Sequence, residues 1–252
     1  MRKMQKLNSL KLHIAKIGLF QTVSYLLQRL FLKKGNHIKL KVPGLKNELL
    51  LRNKYYDTHI FNQIFIREEV NFGSDIDPKI IIDCGANIGL STLYFRRQFP
   101  DSLIISIEPE LSNFNMLLKN ASNYNKINCI HAAVWKENSN VSIIDNGEGT
   151  ASFITRELES AGNIIEQTPA LTIRAIMSQF NISFVDLIKM DIEGSEYELF
   201  DYKPEEWTER INMLAVELHE GLKSGVTSLV NSKMGDKFIN YKKGEYSVYK
   251  RK

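Results

Sequence analysis

The chain has 252 residues, enough for one α/β domain with a small extension, and its 43% hydrophobic and 25% charged content excludes the disordered class. Its two cysteines form no CxxC pair, which argues against a disulfide framework or a thiolate zinc site, and no apolar run approaches the ~20 residues of a membrane span. The net charge of +4 is uneven: residues 1–36 hold eight Lys or Arg and no acid, so the remainder is mildly acidic and we expect no nucleic-acid partner.

Residues 1–36 have apolar side chains every three or four positions, which predicts a basic amphipathic helical extension, broken near Gly18 and ending at Gly35-Asn36. Such a helix can lie on an anionic membrane surface through residues 1–34, or dock a partner. It can equally pack on its own domain with its lysines in solvent. No signal peptide is recognised, so we expect a cytoplasmic protein, free or peripheral to the inner face of the membrane.

Residues 37–78 are expected to form a cap on the main domain. The pattern predicts a hairpin around Pro43-Gly44, with strands His37–Val42 and Glu48–Arg52. Apolar residues at helical spacing from Ile60 to Phe65 then predict a helix. Residues 79–252 then form the third predicted unit.

In that unit strands and helices alternate, which predicts a parallel sheet with right-handed crossovers. The predicted order is strand Ile80–Asp83, helix Leu90–Gln98, strand Leu103–Glu108, helix Asn113–Asn123 and strand Ile127–Ala132. After Trp135 we expect a hairpin insertion, Val141–Ile144 with Ser152–Thr155 around a turn at 147–150, and then a mobile loop to Ala170. The core resumes with Leu171–Ile173, a helix to about Phe180, strands Phe184–Met190 and Asn212–Leu218, helix Val226–Lys233, and a hairpin of Phe238–Tyr241 with Tyr246–Lys250.

The first two core strands indicate a nucleoside site. Gly85 and Gly89 form a glycine-rich turn after Asp83, and Glu108 ends the next strand about 20 residues later, as for ribose hydroxyls. Asn87 stands where a dinucleotide turn needs its middle glycine, so a ligand without pyrophosphate is favoured. S-adenosylmethionine fits, because its ribose suits Glu108 and its cationic groups suit Asp83. The alternatives are a plain βαβ crossover or an NAD(P)-dependent oxidoreductase.

Three sequence motifs narrow the prediction of a nucleoside site further. They are Ile82–Gly89, Ile107–Pro109 and Lys189–Glu196. With weaker matches at 51–57 and 217–219, the chain resembles the FkbM-type S-adenosylmethionine-dependent methyltransferases. The resemblance implies a class I, Rossmann-like α/β fold, with a seven-stranded, mostly parallel sheet and helices on both faces. It also implies O-methylation of a small hydroxyl compound, and we expect a sugar or glycan precursor in polysaccharide biosynthesis.

The expected cofactor residues follow these motifs. Asp83 and the turn residues Gly85, Ala86, Asn87 and Gly89 are expected to hold the methionine portion, and Glu108 the ribose. Asn113 is expected to cap the following helix or to reach the adenosine.

For catalysis, His219 is the candidate general base, and Asp191 or Glu193 could orient it or replace it. Asp191, Glu217 and His219 could instead hold a divalent cation. Simpler roles are open: Lys189 could extend its ammonium to solvent or pair with Glu217, and His219 could bond a backbone carbonyl. A non-catalytic module that binds a partner or membrane through its basic helix is the rival outside enzymes.

Overall fold

The computed structural model of the protein describes residues 2–33, 35–73, 76–145, 153–157 and 164–252, with side chains from residue 7 onwards. The N-terminal extension is a helix pair, α1 (Arg2–Ile17) and α2 (Leu19–Phe31). They meet at Gly18, whose φ of +83° suits a residue without a Cβ, and this confirms the expected break. No described helix has the length and apolar character needed to cross a bilayer.

The region after the helix pair links it to the main sheet. Strands β1 (His37–Leu40) and β2 (Leu49–Arg52) form the predicted antiparallel hairpin. Helix α3 (Tyr55–Phe61) follows and runs on into a π-helical turn, Asn62–Ile66. This helical segment packs between the helix pair and the main domain, because the Phe61 ring lies 5.5 Å from that of Tyr25 and the Phe65 ring lies 5.9 Å from that of Tyr94.

From residue 80 to residue 131 strands and helices alternate as the sequence predicts. Four more described strands then follow one another, and two helices that the sequence did not predict lie between residues 190 and 211. The strands are β3 (Ile80–Cys84), β4 (Leu103–Glu108), β5 (Ile127–His131), β6 (Ala133–Val134), β7 (Ser139–Asp145), β8 (Phe153–Glu157), β9 (Ile164–Leu171), β10 (Val185–Met190), β11 (Ile211–Glu217), β12 (Phe238–Lys243) and β13 (Tyr246–Arg251). The helices are α4 (Leu90–Gln98), α5 (Leu111–Ala121), α6 (Ile173–Gln179), α7 (Glu196–Asp201), α8 (Glu205–Thr208) and α9 (Val226–Met234), with a 3₁₀ turn at Gly235–Lys237.

The central sheet of the described residues has seven strands in the order β12-β13-β11-β10-β3-β4-β5. Neighbours from β11 to β5 are parallel, while β13 is antiparallel to β11 and to β12. Successive side chains point to opposite faces, so Ile81 lies in one apolar core and Ile82 in the other. This is the class I fold that the resemblance implies. The strand order reverses between β3 and β10, where such sheets bind ligands beyond the carboxyl ends of the strands.

The insertion after Trp135 is larger than predicted. The hairpin of β7 and β8 forms, but β9 pairs with β7 and β6 to give a second, four-stranded sheet in the order β6-β9-β7-β8. The loop expected up to Ala170 is therefore wrong for residues 164–170, which lie in β9. The turn expected at 147–150 lies outside the described residues.

Candidate active site

A cavity of about 260 Å³ opens at the reversal point of the strand order. Its lining includes residues that follow or end β3, β4, β10 and β11, as expected for ligand sites in open α/β sheets. Tyr56 and His59 of α3 line another side, and Phe153 and Thr155 of β8 line a third. The cap and the insertion sheet thus both contribute to the cavity.

Gly85 fixes the turn at the end of β3. Its φ is +73°, and a Cβ added there would lie 1.8 Å from the backbone oxygen of Asp191, so only glycine fits. Gly89, at φ +89°, begins α4, and a Cβ there would meet Leu117 at 2.8 Å. Gly85, Ala86 and Asn87 line the cavity, whereas Gly89 packs behind it.

Asp83 lies beneath the cavity and outside its lining. Its side chain is fully buried and accepts hydrogen bonds from the hydroxyls of Ser91 (2.6 Å) and Thr92 (2.7 Å). The Nζ of Lys189 lies 3.5 Å from its other oxygen. Any effect of Asp83 on a ligand would therefore pass through Lys189 or the glycine turn.

Lys189 joins β3 to β10 at the floor of the cavity. Only 3% of the residue is exposed, and its ammonium donates to the backbone oxygen of Gly85 at 2.8 Å and lies 3.7 Å from Asp191. Burial lowers its pKa, but the charges of Asp83 and Asp191 outweigh burial and raise it. The alternative in which Lys189 extends to solvent is wrong, since its charge is held among these groups.

Glu108 is poised at the end of β4. Its oxygens accept the N–H groups of Asn87 (2.8 Å) and Glu110 (3.1 Å), and the residue lines the cavity while only 5% exposed. Burial raises the pKa of Glu108 to about 7, although those backbone hydrogen bonds lower it in part. The carboxyl group therefore titrates near neutral pH.

Asn113 does not cap α5, because the helix begins two residues earlier. The cap is Glu110, whose carboxylate accepts the N–H groups of Ser112 and Asn113. The Asn113 amide instead donates to Glu108 at 3.3 Å and accepts from Arg52 at 2.8 Å. Arg52 is itself held by a buried ion pair with Asp57 at 2.8 Å, so the cap region positions Asn113 at the cavity. The sequence indicated the Arg52–Asp57 ion pair only through the weak resemblance to the methyltransferase family at residues 51–57.

A cluster of carboxylates surrounds His219 near the carboxyl ends of β10 and β11. The His219 Nδ1 donates to Glu196 at 2.9 Å, so the ring bonds a carboxylate rather than a backbone carbonyl. Its Nε2 lies 3.5 Å from Glu193, 3.7 Å from Asp191 and 3.8 Å from Glu217. Asp191, Glu193 and Glu217 line the cavity, and His219 lies behind them.

The cluster changes the charge states of its members. Burial alone would lower the pKa of His219, but the hydrogen bond to Glu196 and the nearby carboxylates raise it to about 10. His219 is therefore a cation at neutral pH. Burial first, and then the charge of Asp191, raise the pKa of both Glu193 and Glu217 well above the ordinary carboxyl value. These two groups take up a proton far more readily than a surface glutamate.

The same cluster has the geometry of a candidate cation site. Asp191, Glu217 and His219 each offer one ligand atom, and these atoms all lie within 4.8 Å of one another. Glu196 holds the other ring nitrogen of His219, as carboxylates do for metal-binding histidines.

The turn of Glu193 and Gly194 shapes this side. Glu193 has a φ of +52° and Gly194 one of +91°, so a left-handed turn carries the Glu193 carboxylate to the cavity. A non-glycine residue in this region is strained, and such strain concentrates at functional positions.

Comparison with known proteins gives a consistent family. Residues 83–235, more than half of the chain, match the methyltransferase FkbM domain. The chain is 25% identical over 179 residues to Methyltransferase 1 of Beauveria bassiana, covering 63% of this chain and 72% of that protein. It is 22% identical over 209 residues to Methyltransferase sdnD of Sordaria araneosa, covering 71% and 80%.

Solved structures resemble the chain more distantly. A putative caffeoyl-CoA O-methyltransferase from Staphylococcus aureus is 11% identical, with 79% of this chain and 84% of that chain covered and a TM-score of 0.42. The chain belongs to the FkbM family of S-adenosylmethionine-dependent methyltransferases.

Proposed function

We propose that this protein transfers a methyl group from S-adenosylmethionine to a hydroxyl oxygen of a sugar or glycan precursor. The observation that carries the proposal is the position of Asp191, Glu193 and Glu217. These carboxylates line the same cavity as the glycine turn and Glu108. A hydroxyl acceptor needs both a methyl donor and a proton acceptor in one enclosed space, and this arrangement supplies places for both.

The residues present fit the donor. Gly85 lets the end of β3 pack directly against the backbone of Asp191, so the turn from Gly85 to Asn87 lines the cavity, and Glu108 stands at the end of the next strand. In the proposal the Gly85–Asn87 turn holds the methionine portion and Glu108 the ribose hydroxyls, with Asn113 held beside Glu108. The carboxylates at the cavity favour a ligand with cationic groups. When bound, S-adenosylmethionine supplies an electrophilic methyl group on a sulfonium.

Glu193 is the proposed proton acceptor. It would receive the proton that the acceptor hydroxyl loses when its oxygen takes the methyl group, and the cofactor that supplies this group would leave as a neutral thioether. Two features support Glu193 over His219 in this role. Glu193 faces the cavity while His219 lies behind it, and the pKa of Glu193, about 8, is closer to neutral pH than that of His219, about 10. His219 then keeps the surrounding carboxylates in place.

A divalent cation held by Asp191, Glu217 and His219 is the competing route. The distances within that group and the hydrogen bond from His219 to Glu196 favour it. A bound cation would lower the pKa of the acceptor hydroxyl, and its proton could then pass to solvent water instead of Glu193. The two routes differ in one respect that can be measured, the requirement for added metal.

The acceptor side of the proposal rests on the insertion sheet. Phe153 and Thr155 bring an apolar ring and a hydroxyl to the cavity, a combination suited to a sugar, which has apolar faces and hydroxyl edges. The glycan acceptor, a place in polysaccharide biosynthesis, a cytoplasmic location and the contact of residues 1–34 with a membrane stay predictions.

The test is a methyl-transfer assay over a panel of sugar nucleotides and oligosaccharides, with amine and thiol acceptors included. We expect product with a hydroxyl acceptor, and a kcat lower by a factor of roughly 10²–10⁴ in Glu193→Gln with donor affinity nearly unchanged. Glu245→Gln is the control, because Glu245 also lines the cavity but bonds Gln63 instead of the cluster.

Three results would count against parts of the proposal. Product from amines alone overturns O-methylation. A Glu193→Gln variant with unchanged kcat overturns the assignment of the base. Loss of wild-type activity in a chelator, restored by Mg²⁺ or Mn²⁺, favours the cation route over Glu193.

A further inference from the structure

Helix α2 turns an apolar face away from the molecule. On its inner side Thr22 and Tyr25 are buried against the domain. The opposite side, named here the outward face, consists of apolar residues that are 41–80% exposed: Leu19, Phe20, Val23, Leu26, Leu27, Leu30 and Phe31. In a surface helix of a globular protein the apolar stripe normally faces the core, so this orientation is reversed.

Polar bonds hold α2 in this orientation. The side chain of Gln28 bonds both the oxygen and the N–H of Lys39 at 2.9 Å, and Gln21 accepts the N–H of Lys41 at 3.1 Å. These two glutamines lie on the side of α2 that faces β1 and the residue just beyond it. Turning the outward face toward the domain would break these bonds and expose Tyr25, so the apolar face is fixed outward.

Positive charge accompanies this face. Residues 1–36 hold eight Lys or Arg and no acid. Lys11, Arg29 and Lys33 are exposed on the helix pair or just after it. A helix with exposed Phe and Leu on one face and flanking cations has the chemistry that binds the interface of a bilayer with anionic lipids.

We propose that the outward face of α2 lies on an anionic lipid surface, with Phe20 and Phe31 inserted among the headgroups. Both rings are at least 77% exposed, and they lie near the two ends of the helix, so both can enter a flat surface together. A second copy of the chain is the other occupant to consider. Pairing two outward faces would bring two such cationic segments together, whereas anionic headgroups neutralise them.

The docking face is one helical layer from the cavity. His13 of α1 bonds Asn62 at 2.7 Å, and the Tyr25 ring of α2 lies 5.5 Å from Phe61. Tyr56 and His59 of the same helical segment line the cavity. Binding to a lipid surface therefore brings one wall of the active site close to that surface.

The experiment is co-sedimentation of the full chain with vesicles of phosphatidylcholine alone and of phosphatidylcholine with 30% phosphatidylglycerol. We expect binding to the anionic vesicles, weakened by salt, and a loss of about tenfold or more in apparent affinity for Phe20→Ser/Leu30→Ser. The matched control is Leu118→Ser/Ile239→Ser, which removes two exposed apolar side chains elsewhere and should bind as the wild type does. Circular dichroism and donor binding confirm that each variant is folded.

The opposing results are distinct. Equal binding to neutral and anionic vesicles, or equal loss in the control variant, overturns the proposal. So does a wild-type chain that ignores vesicles. Light scattering then tells whether a dimer broken by Phe20→Ser/Leu30→Ser covers the face instead.

Discussion

The two sides of the cavity are held in place by different kinds of interaction. The side formed by the Gly85 turn and Glu108 depends on backbone conformation and backbone N–H groups, with one carboxyl at its end. The side formed around His219 depends on side-chain charge, because the carboxylates there lie within 4 Å of one ring. The first side, called the rigid side below, is held by backbone packing. The second side is held by the attraction between the His219 cation and the surrounding carboxylates.

This difference determines which single substitutions each side of the cavity can accept. A backbone site tolerates no added atom, and apart from the Glu108 carboxyl group it is indifferent to modest changes of pH. A charge cluster tolerates small changes of shape. Removing one charge, however, leaves the charges of the neighbouring side chains unpaired where little water can solvate them. The variants below test the two sides against each other.

The largest effect is expected for Gly85→Ala. The new Cβ would lie 1.8 Å from the backbone oxygen of Asp191, and its residue would keep a φ of +73°. We expect the free energy of unfolding to fall by roughly 2–5 kcal/mol and donor affinity to fall at least about a hundredfold. Thermal unfolding and calorimetry with S-adenosylmethionine measure the two.

Gly221→Ala is the matched control. No described heavy atom lies within 4 Å of a Cβ added at Gly221, and its φ lies outside the left-handed region. This variant should unfold and bind donor as the wild type does. Normal donor affinity in Gly85→Ala would contradict the view that the turn is a rigid shape.

The next effect is expected for His219→Gln. The change removes a cation that faces Glu196, Glu193 and Asp191, so we expect the free energy of unfolding to fall by roughly 3 kcal/mol near pH 6.5. The folded-state pKa of His219, about 10, lies above its ordinary value of 6.5. Its stabilisation is therefore complete below pH 6.5 and is lost as the pH rises through 10. Urea titrations over this range measure it.

The comparison is between two pH profiles. The loss of stability from pH 6.5 to 10 should be steeper in the wild type than in His219→Gln, so the two curves converge at high pH. His131→Gln serves as the control, because His131 bonds a backbone oxygen and is 3.9 Å from the single carboxylate of Glu166. Parallel wild-type and His219→Gln profiles would mean that His219 is not a buried cation.

The rigid side could be predicted from sequence, and the reason is local. The Gly85-to-Gly89 spacing reports backbone conformation directly, and Glu108 follows from the regular strand that precedes it. The charge balance could not be predicted, because it depends on distances between residues from β10, α7 and the end of β11. The sequence identified Asp191, Glu193 and His219 as candidates but gave no indication that Glu196 would fix the ring and make it cationic.

The fold has the same division. Alternation from β3 to β5 and the last hairpin were predicted within a few residues. Strand β9 was missed because its pattern is weak: Pro169 lies within it, and only Thr168 and Ala170 are buried. It exists because β7 and β6 pair with it over long sequence separations. The outward orientation of the apolar face of α2 could not be predicted either. The spacing of apolar residues predicts a stripe along the helix, but not whether that stripe faces the domain or the solvent.

The smallest effect is expected for Glu108→Gln, which tests whether the rigid side also responds to charge. An amide offers one acceptor oxygen in place of two, and its NH₂ would face a backbone N–H of Asn87 or Glu110. We expect donor affinity to fall about tenfold at pH 8, roughly 1.4 kcal/mol. Because the pKa of Glu108 is about 7, wild-type affinity should rise as the pH increases through 7, while that of the variant stays flat.

Glu110→Gln separates this effect from the hydrogen bonding of the loop. Glu110 is as buried as Glu108 and also accepts two backbone N–H groups, but it caps α5 and lies outside the cavity lining. Its loss should lower stability by about 1 kcal/mol, and donor affinity should still rise with pH, with a slightly lower midpoint because the charge of Glu110 raises the pKa of Glu108. If calorimetry gives the same pH dependence for Glu108→Gln and the wild type, the titrating group lies elsewhere, and the charge cluster then governs donor binding as well as proton transfer.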